Sequence, residues 1–321
     1  MHFRFGSFNL MNMGHSAIGK DGITKREFGK IAEIILAEQF DVVAFQEILS
    51  QGYALEYLVR HLLPGWNLKW AEPKESSDSS KIKDKRGEGY AFVWNTTTVA
   101  LASSVTENGM RIYEPRIVNE ALRYDASMFA RTPYFARFVP VNGGFFEFRL
   151  INVHLHFGDN SRYEIDRRKE EFNFLIDRIY PSISMERRYG NNREAYTIVM
   201  GDYNLNLFRP RGEAEARMNK NTYIEECHTI GKQTIATVQD ALTTLKSSVA
   251  DENTMDDNPN RGYSQNYDHF SFEIGRFDEE KIQYKCSRVD AVRKYCHDDF
   301  EVYRAEISDH IPIALEITMN E

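Results

Sequence analysis

Hydrophobic and polar positions form short alternating runs or short uninterrupted apolar runs along most of the chain, and both are typical of β-strands. The predicted strands cover residues 3–10, 41–47, 88–94, 131–138, 145–154, 198–200, 267–272 and 311–317. Asn142-Gly143-Gly144 separates two of these runs and predicts the turn of a hairpin.

Helices are predicted where apolar residues recur every three or four positions. Residues 24–39 have this spacing, with Thr24 as the expected N-cap. A second helix, over about residues 52–63, is expected to stop at the proline that follows it. A third is expected to begin at Ser161, which caps it, and to end just before Pro181.

The order of these elements predicts the architecture. Residues 211–250 are expected to be helical and polar, and residues 251–262 to form an exposed acidic loop. The strands come in pairs and triplets with few helices between them, which favours two mostly antiparallel or mixed sheets, stacked face to face with helices outside. No repeat or Pro/Ser-rich linker divides the chain, so one domain over residues 1–321 is expected.

Composition narrows the class of protein. The 21 Phe and 17 Tyr exclude a disordered chain, and a packed core is expected. The formal net charge of -8 gives no overall attraction for a polyanion, although a local basic groove or bound cations can supply one. Cys227, Cys286 and Cys296 form no CxxC pair and are expected to be incidental thiols in a reducing compartment, with at most one disulfide, between Cys286 and Cys296.

The sequence also indicates a location. No apolar run approaches the length of a membrane span, so stable membrane insertion is not expected. The residues after Met1 lack the charged and apolar regions of a signal peptide. A cytoplasmic enzyme is expected if Met1 is the natural start, and secretion stays open if a leader peptide has been removed. No protein partner is implied.

Polar side chains lie at the ends of most predicted strands, where a core does not need them. They are Asn9, Glu47, Glu88, His154, Asp202, Asn204 and Asp268, with Asp309 and His310 just before the last strand. Asp202 and Asn204 follow a buried run and the sharp turn that Gly201 allows, and their spacing of two places both side chains on one face. Their oxygen atoms suit a hard cation or a phosphate, although an Asx-rich turn or a capping role explains each such residue taken singly. The recurrence at so many strand ends favours a functional site.

The segments around these residues resemble, in order, the motifs of the endonuclease/exonuclease/phosphatase superfamily. They are Ser-Phe-Asn9, Phe-Gln-Glu47, Asn-Val-His154, Gly-Asp202-Tyr-Asn204, Tyr-Asp268-His-Phe and Ile-Ser-Asp309-His310-Ile-Pro, and they span almost the whole chain. The resemblance implies a four-layer α/β/β/α sandwich of two stacked mixed sheets flanked by helices.

Within that superfamily the sequence is most similar to the deoxyribonuclease I-like branch. Glu88-Gly-Tyr resembles the branch's glutamate that supports the first catalytic histidine, and Ala130-Arg131-Thr-Pro resembles the segment whose arginine contacts phosphate. The Pro-Ala-Trp-Cys-Asp-Arg signature of inositol phosphatases is absent. The structural disulfides of the secreted nuclease are not reproduced, and residues 205–265 match no motif.

The resemblance implies a Mg²⁺- or Mn²⁺-dependent phosphodiesterase. Glu47 is the first candidate metal ligand, with Asn9 and Asp309 beside it. Asp202 and Asn204 either hold a second ion or position the attacking water and the phosphate. All of these ligands offer oxygen, which suits Mg²⁺ or Mn²⁺ better than Zn²⁺.

The two histidines are candidates for general acid and base catalysis, because imidazole titrates near neutral pH. Glu88 is the expected carboxylate partner of His154, and Asp268 that of His310. Whether a histidine or the aspartate at position 202 activates the water stays open. Arg131, Asn204 and Asn9 are the candidate phosphate-binding residues.

The expected activity is that of a DNA endonuclease. Lys81, Lys83, Lys85 and Arg86 form the most basic short stretch and either line the DNA or belong to an ordinary solvated loop. The alternative is a phosphatase or phosphodiesterase that acts on a small or lipid-linked phosphate ester such as an inositol phosphate, which the acidic net charge favours. A scaffold that kept the fold and lost the chemistry is a third reading, and the competent residue at every catalytic position speaks against it.

Overall fold

The structure is a computed structural model that describes residues 1–14, 17–18, 25–49, 52–71, 87–102, 104–105, 111–112, 115–118, 128–159, 161–185, 193–207, 223–239, 241–247 and 260–319. The first ten strands in these ranges are β1 (His2–Met13), β2 (Val42–Ile48), β3 (Trp66–Ala71), β4 (Gly89–Asn95), β5 (Val99–Leu101), β6 (Ser104–Val105), β7 (Arg111–Ile112), β8 (Arg116–Ile117), β9 (Tyr134–Pro140) and β10 (Phe146–His154). The remaining strands are β11 (Glu194–Asp202), β12 (Asn206–Leu207), β13 (Tyr223–Ile224), β14 (Cys227–Ile230), β15 (Gln233–Val238), β16 (Asp268–Glu273), β17 (Gln283–Arg288) and β18 (Ile313–Thr318). The helices are α1 (Phe28–Ala37), α2 (Tyr53–Leu62), α3 (Arg162–Phe174), α4 (Tyr180–Ser184), α5 (Ile274–Glu279), α6 (Ala291–Cys296) and α7 (Phe300–Glu306), with a π-helical turn over Leu175–Ile179 between α3 and α4.

The larger strands form two mixed sheets. The first has the strand order β17-β18-β1-β2-β4-β3, and the second β14-β15-β16-β11-β10-β9-β5, with β8 paired to β9. Within them β1 and β2 are parallel, as are β10 and β11, and the other neighbouring pairs are antiparallel. The predicted hairpin is confirmed, because β9 returns into β10 with Phe138 opposite Phe148.

Side chains alternate between the two faces of each sheet, and this alternation builds three apolar layers. On β2, Val42 and Ala44 point into the layer between the sheets, whereas Val43 and Phe45 point outward to a layer shared with α1, α2, α6 and α7. On the second sheet, Ile151 faces a third layer shared with α3, α4 and the π-helical turn. Helices therefore cover the outer faces of two stacked sheets, and the four-layer sandwich expected from the sequence is confirmed.

The pairing register gathers the polar strand ends at one edge. His154 ends β10 and pairs with Asp202, which ends the parallel β11. Asp202 also pairs with Asp268, the first residue of the antiparallel β16. In the first sheet Glu47 lies near the end of β2, and Glu88 immediately precedes the antiparallel β4.

The helix boundaries differ in part from the expectation. The first helix begins at Phe28 with Glu27 at the N-cap, so Thr24 is not the cap, and Thr24 itself lies outside the described residues. Ser161 caps α3 as expected, since its hydroxyl accepts a hydrogen bond from the backbone N–H of Glu164. The helical segment does not stop before Pro181. The π-helical turn brings this proline into the first turn of α4, where a missing N–H costs no intrahelical bond.

The prediction of a helical segment over residues 211–250 is wrong for the part that the structure describes. Residues 227–238 form the hairpin of β14 and β15, with Gly231 in the left-handed region at φ +60°. Residues 208–222 and 248–259 lie outside the described part, as does the basic stretch 81–86. Asn9 does not end its strand either, because β1 continues past it to Met13 and changes register against β2 between the two residues.

Two further sequence expectations concern the thiols and the membrane. The three cysteines are free thiols, so the disulfide between Cys286 and Cys296 that the sequence left open is not formed. Among the described helices, none has both the length and the apolar character needed to span a membrane. One domain over residues 1–321 stays a prediction.

Candidate active site

A cleft of about 360 Å³ opens at the edge where the polar strand ends of both sheets meet. Its lining comprises Asn12, Glu47, Glu88, Arg131, His154, Phe157, Asp202, Asn204, Thr244, Leu245, Ser264, Gln265, Tyr267, Arg304, Asp309 and His310. Asn9 and Asp268 contact this lining through hydrogen bonds to Asp202 and His310. All the site residues predicted from the sequence are therefore brought together, whereas their chemical roles stay predictions.

Asp202 lies at the centre of the cleft. Its Oδ2 atom is 3.6 Å from Nε2 of His154 and 3.6 Å from Nε2 of His310. Oδ1 accepts a hydrogen bond from the backbone N–H of Asn204, and Oδ2 accepts one from Nδ2 of Asn9. The pKa of Asp202 is raised to about 7, chiefly by burial, with a smaller increase from Asp268 that the charge of His310 opposes. The carboxyl group thus links both imidazoles and both motif asparagines.

His154 is held between Glu88 and Asp202. Its Nδ1 lies 3.5 Å from Oε2 of Glu88, and the same oxygen lies 2.5 Å from a guanidinium nitrogen of Arg131. The backbone N–H of His154 donates to the Tyr90 hydroxyl, which donates to the backbone carbonyl of Arg131. Burial and the positive charge of Arg131 lower the pKa of His154 well below its usual value, so the imidazole is neutral at pH 7.

His310 has the opposite electrostatic surroundings. Its Nδ1 is hydrogen-bonded to Oδ2 of Asp268 at 2.9 Å, and its backbone N–H donates to the hydroxyl of Ser308. Burial alone lowers the pKa of His310, but the carboxylates of Asp268 and Asp202 outweigh it and raise the pKa well above the usual value. Two chemically identical side chains therefore hold different protonation states at neutral pH.

Glu47 reaches the cleft from a strained backbone. Its φ of +59° lies in the left-handed region, which residues other than glycine adopt rarely and mainly at functional sites. Oε1 accepts a hydrogen bond from Nδ2 of Asn9, and Oε2 accepts one from the backbone N–H of Asn12. The partly buried Arg26 guanidinium interacts electrostatically with both Glu47 and Asp309.

The chemistry of these donors fits a divalent cation. Glu47, Glu88 and His154 place ligand atoms within 4.8 Å of one another, as do Asp202, Asp268 and His310. Glu47 and Asp202 both accept from the same amide of Asn9, so two carboxylates converge on one point from the two sheets. Because Oδ1 of Asn9 accepts from the backbone N–H of Met11, the side chain of Asn9 positions these carboxylates, and its role as a ligand stays a prediction.

Some residues that shape the site carried no signal in the sequence. Glu171 on α3 is buried, and its two oxygens accept hydrogen bonds from the backbone N–H groups of Ala130 and His156. It therefore holds the residue before Arg131 and the chain just after His154. Burial raises the pKa of Glu171 to about 7. It lies in a run of charged residues on α3, where the sequence alone cannot distinguish a buried carboxylate from a solvated one.

Solved structures share this architecture over nearly the whole chain. D. rerio TDP2 complexed with a single-strand DNA product has a TM-score of 0.54 at 12% identity, covering 99% of this chain and 99% of that one. ANGEL2, a 2′,3′-cyclic phosphatase, in complex with adenosine-2′,3′-vanadate has a TM-score of 0.54 at 12% identity over 99% of this chain and 96% of that one. An endonuclease/exonuclease/phosphatase family protein from Bacteroides thetaiotaomicron has a TM-score of 0.52 at 16% identity over 100% and 99%.

Sequence comparison adds nothing to this likeness, since no family model and no curated protein matches the chain. The likeness is one of fold, and it agrees with the motif order read from the sequence. The chain has the fold of the endonuclease/exonuclease/phosphatase superfamily.

Proposed function

We propose that the chain is a divalent-metal-dependent phosphodiesterase of the endonuclease/exonuclease/phosphatase superfamily, and that it acts on DNA as an endonuclease. One observation carries the proposal. Two imidazoles approach the same oxygen of Asp202, each with its own carboxylate behind Nδ1: Glu88 for His154 and Asp268 for His310. Such a pair can remove a proton from water on one side of a phosphate and supply one to the leaving oxygen on the other.

The surroundings of the two histidines support a separate role for each. His154 is neutral at pH 7 and is the candidate base for the attacking water, with Glu88 orienting its ring. His310 is protonated and is the candidate acid for the leaving oxygen, with Asp268 fixing its Nδ1–H. Asp202, with Oδ2 at 3.6 Å from Nε2 of each imidazole, orients both rings.

The charge of the phosphate is met by Arg131 and by the metal. Arg131 lines the cleft, and its ion pair with Glu88 fixes the guanidinium beside His154. Glu47, Asp202, Asn204 and Asp309 are the residues that would hold a divalent cation, most simply Mg²⁺ or Mn²⁺. When bound, such a cation neutralises the non-bridging oxygens and lowers the pKa of a coordinated water.

Two observations bear on the substrate. A DNA substrate is supported by the motifs of the deoxyribonuclease I-like branch and by the fold shared with TDP2 in complex with single-strand DNA. The second candidate, a small phosphate ester, is favoured by the cleft itself, since about 360 Å³ is near the lower end of volumes that hold small ligands. ANGEL2, which shares the fold, is described as a 2′,3′-cyclic phosphatase.

Cleavage of supercoiled plasmid tests the proposal. We expect nicking with Mg²⁺ or Mn²⁺ and none with EDTA. His310→Ala should lower the rate by about 10²–10⁴-fold, as expected for loss of a general acid. His2 is the matched control, because it is an exposed histidine at the first residue of β1, away from the cleft. His2→Ala should nick plasmid as the wild type does.

The plasmid could stay intact while bis-p-nitrophenyl phosphate, an inositol phosphate or a 2′,3′-cyclic nucleotide is hydrolysed. In that case the substrate is the second candidate, a small phosphate ester. Absence of turnover on every one of these substrates, with either metal, contradicts both candidates. Full activity of His310→Ala contradicts the assigned roles.

A further inference from the structure

Phe157 is an exposed aromatic residue in the lining of the candidate active-site cleft. It is 56% exposed, whereas Leu155, two residues earlier, is fully buried. Its neighbours in the lining include the catalytic candidates His154, Asp202 and His310, which are polar and buried. A large apolar side chain that stays exposed beside a polar site is a candidate contact for an apolar part of the ligand.

The backbone on both sides of Phe157 is firmly anchored. The N–H of His156 donates to Glu171 at 2.9 Å, and the His156 ring contacts the carboxylate of Glu164. On the other side, the buried Arg168 donates to the carbonyl of Asp159 at 2.7 Å. Three residues of α3 thus fix the short segment 156–159, and the exposed ring lies on a rigid support.

The same anchors connect Phe157 to the catalytic groups. Arg168 also donates to the backbone carbonyl of Asn204, two residues from Asp202. The carbonyl of Leu155 accepts hydrogen bonds from Nδ2 of Asn204 and from the guanidinium of Arg131. A phosphate bound at Arg131 therefore lies in the same cleft as Phe157, whose backbone segment these hydrogen bonds connect to the site.

We propose that Phe157 is a stacking platform for the nucleobase next to the scissile phosphate of a single-stranded nucleic acid, an inference that rests on the proposed function. In a nucleic acid strand, the nucleobase is the flat group beside each phosphate that can stack on an aromatic ring. A base within a duplex has both faces covered by its neighbours, so only an unstacked base can offer a face to Phe157. The subsite therefore favours nucleotides whose base is unstacked, as in single strands, frayed ends, loops and the locally unpaired stretches of a supercoiled plasmid.

The test compares three variants on two substrates. The substrates are a short all-adenine DNA oligonucleotide and an abasic oligonucleotide of the same length, which has the same phosphates without the bases. Phe157→Ala should raise KM for the adenine oligonucleotide by about 5- to 100-fold, the range expected for one lost base–aromatic stack, with a smaller effect on kcat. On the abasic oligonucleotide it should match the wild type.

Two further variants separate stacking from general effects. Phe157→Trp keeps an aromatic face and should retain the wild-type KM. Phe145→Ala is the matched control, because Phe145 is 63% exposed and precedes the start of β10, the end of the strand opposite the cleft. It should change neither substrate's kinetics.

The outcomes distinguish the two levels of inference. If the wild type cleaves both oligonucleotides and Phe157→Ala has unchanged KM, or loses the same factor on both, the stacking subsite is contradicted and the phosphodiesterase stands. If the wild type nicks plasmid but cleaves neither oligonucleotide at any metal concentration, the subsite is contradicted and the action on DNA stands; if it cleaves neither plasmid nor oligonucleotide, both proposals fail.

Discussion

His154 and His310 have identical side chains, and the residues around them decide which proton each can move. Arg131 pairs with the same oxygen of Glu88 that lies next to His154, and its charge opposes a second positive charge on that ring. Around His310 the carboxylates of Asp268 and Asp202 favour the charged ring. The acid–base assignment is therefore a property of neighbours that are distant in sequence.

Replacement of Asp268 tests this assignment. Asp268→Asn keeps the size of the side chain and removes the negative charge that holds the pKa of His310 high. Since His310 must be protonated to act as the acid, its lower pKa moves the alkaline limb of the kcat/KM profile to lower pH and reduces the rate above that limb. The measurement is the pH–rate profile of hydrolysis from pH 5 to pH 10.

Thermal unfolding of Asp268→Asn at two pH values checks that the fold is retained. An alkaline limb at the wild-type position would contradict the role of Asp268 in fixing the charge of His310.

At the level of secondary structure, the parallel pair β10 and β11 positions His154 opposite Asp202, and Gly201 makes this close pairing possible. Its φ is +149°, and a Cβ atom at this position would collide with the backbone carbonyl of Val153 on the neighbouring strand. Any side chain at residue 201 therefore pushes the two strands apart immediately before Asp202.

Gly201→Ala is accordingly expected to lower the free energy of unfolding by at least about 2 kcal/mol, because backbone atoms cannot move aside as a flexible side chain can. Gly29→Ala is the matched control: Gly29 lies in α1 with no atom within 4 Å of the added Cβ, and alanine there should stabilise by about 0.5–1 kcal/mol. Denaturant unfolding measures both. Equal stability of the two variants would contradict the close approach at Gly201.

Strands with a regular local pattern could be predicted from the sequence. Period-two alternation and the Asn142-Gly143-Gly144 turn predicted the hairpin, because strand pattern and turn chemistry are local. The hairpin of β14 and β15 lies within the segment 211–250 that is predicted to be helical and polar, although Thr229, Ile230 and Ile235 are β-branched residues, which favour strands. The helical segment continues past the proline at which it was expected to stop, because a π-helical turn precedes that proline, and the sequence pattern does not show this turn.

The site shows the same division. Residues in strand-end motifs, such as Asp202 and His310, could be identified from the sequence because polar groups there have no use in a core. The residues that orient them could not. Glu171 and Arg168 act through backbone groups that folding brings near, and nothing in their local sequence marks them.

At the scale of the whole molecule, the candidate site is formed by residues of both sheets, so it depends on the contacts that join the sheets. Asn152 on β10 donates to the backbone carbonyls of Phe45 on β2 and Ala91 on β4, and its oxygen accepts from Gln46. These buried bonds join the two sheets beneath the cleft. They fix the distance between the site residues at the strand ends of the second sheet and the site residues that the first sheet contributes.

We propose that His154, from the second sheet, and His310, from the loop before β18 in the first, act as one unit around Asp202. The measurement that tests it most directly is the single-turnover rate of phosphodiester hydrolysis for His154→Ala, His310→Ala and the double variant, with unfolding curves to verify each fold. Groups that act together lose most of their effect with the first removal, so the double variant should be at most a few-fold slower than the slower single variant. A double variant whose loss equals the product of the two single losses would contradict a shared catalytic site.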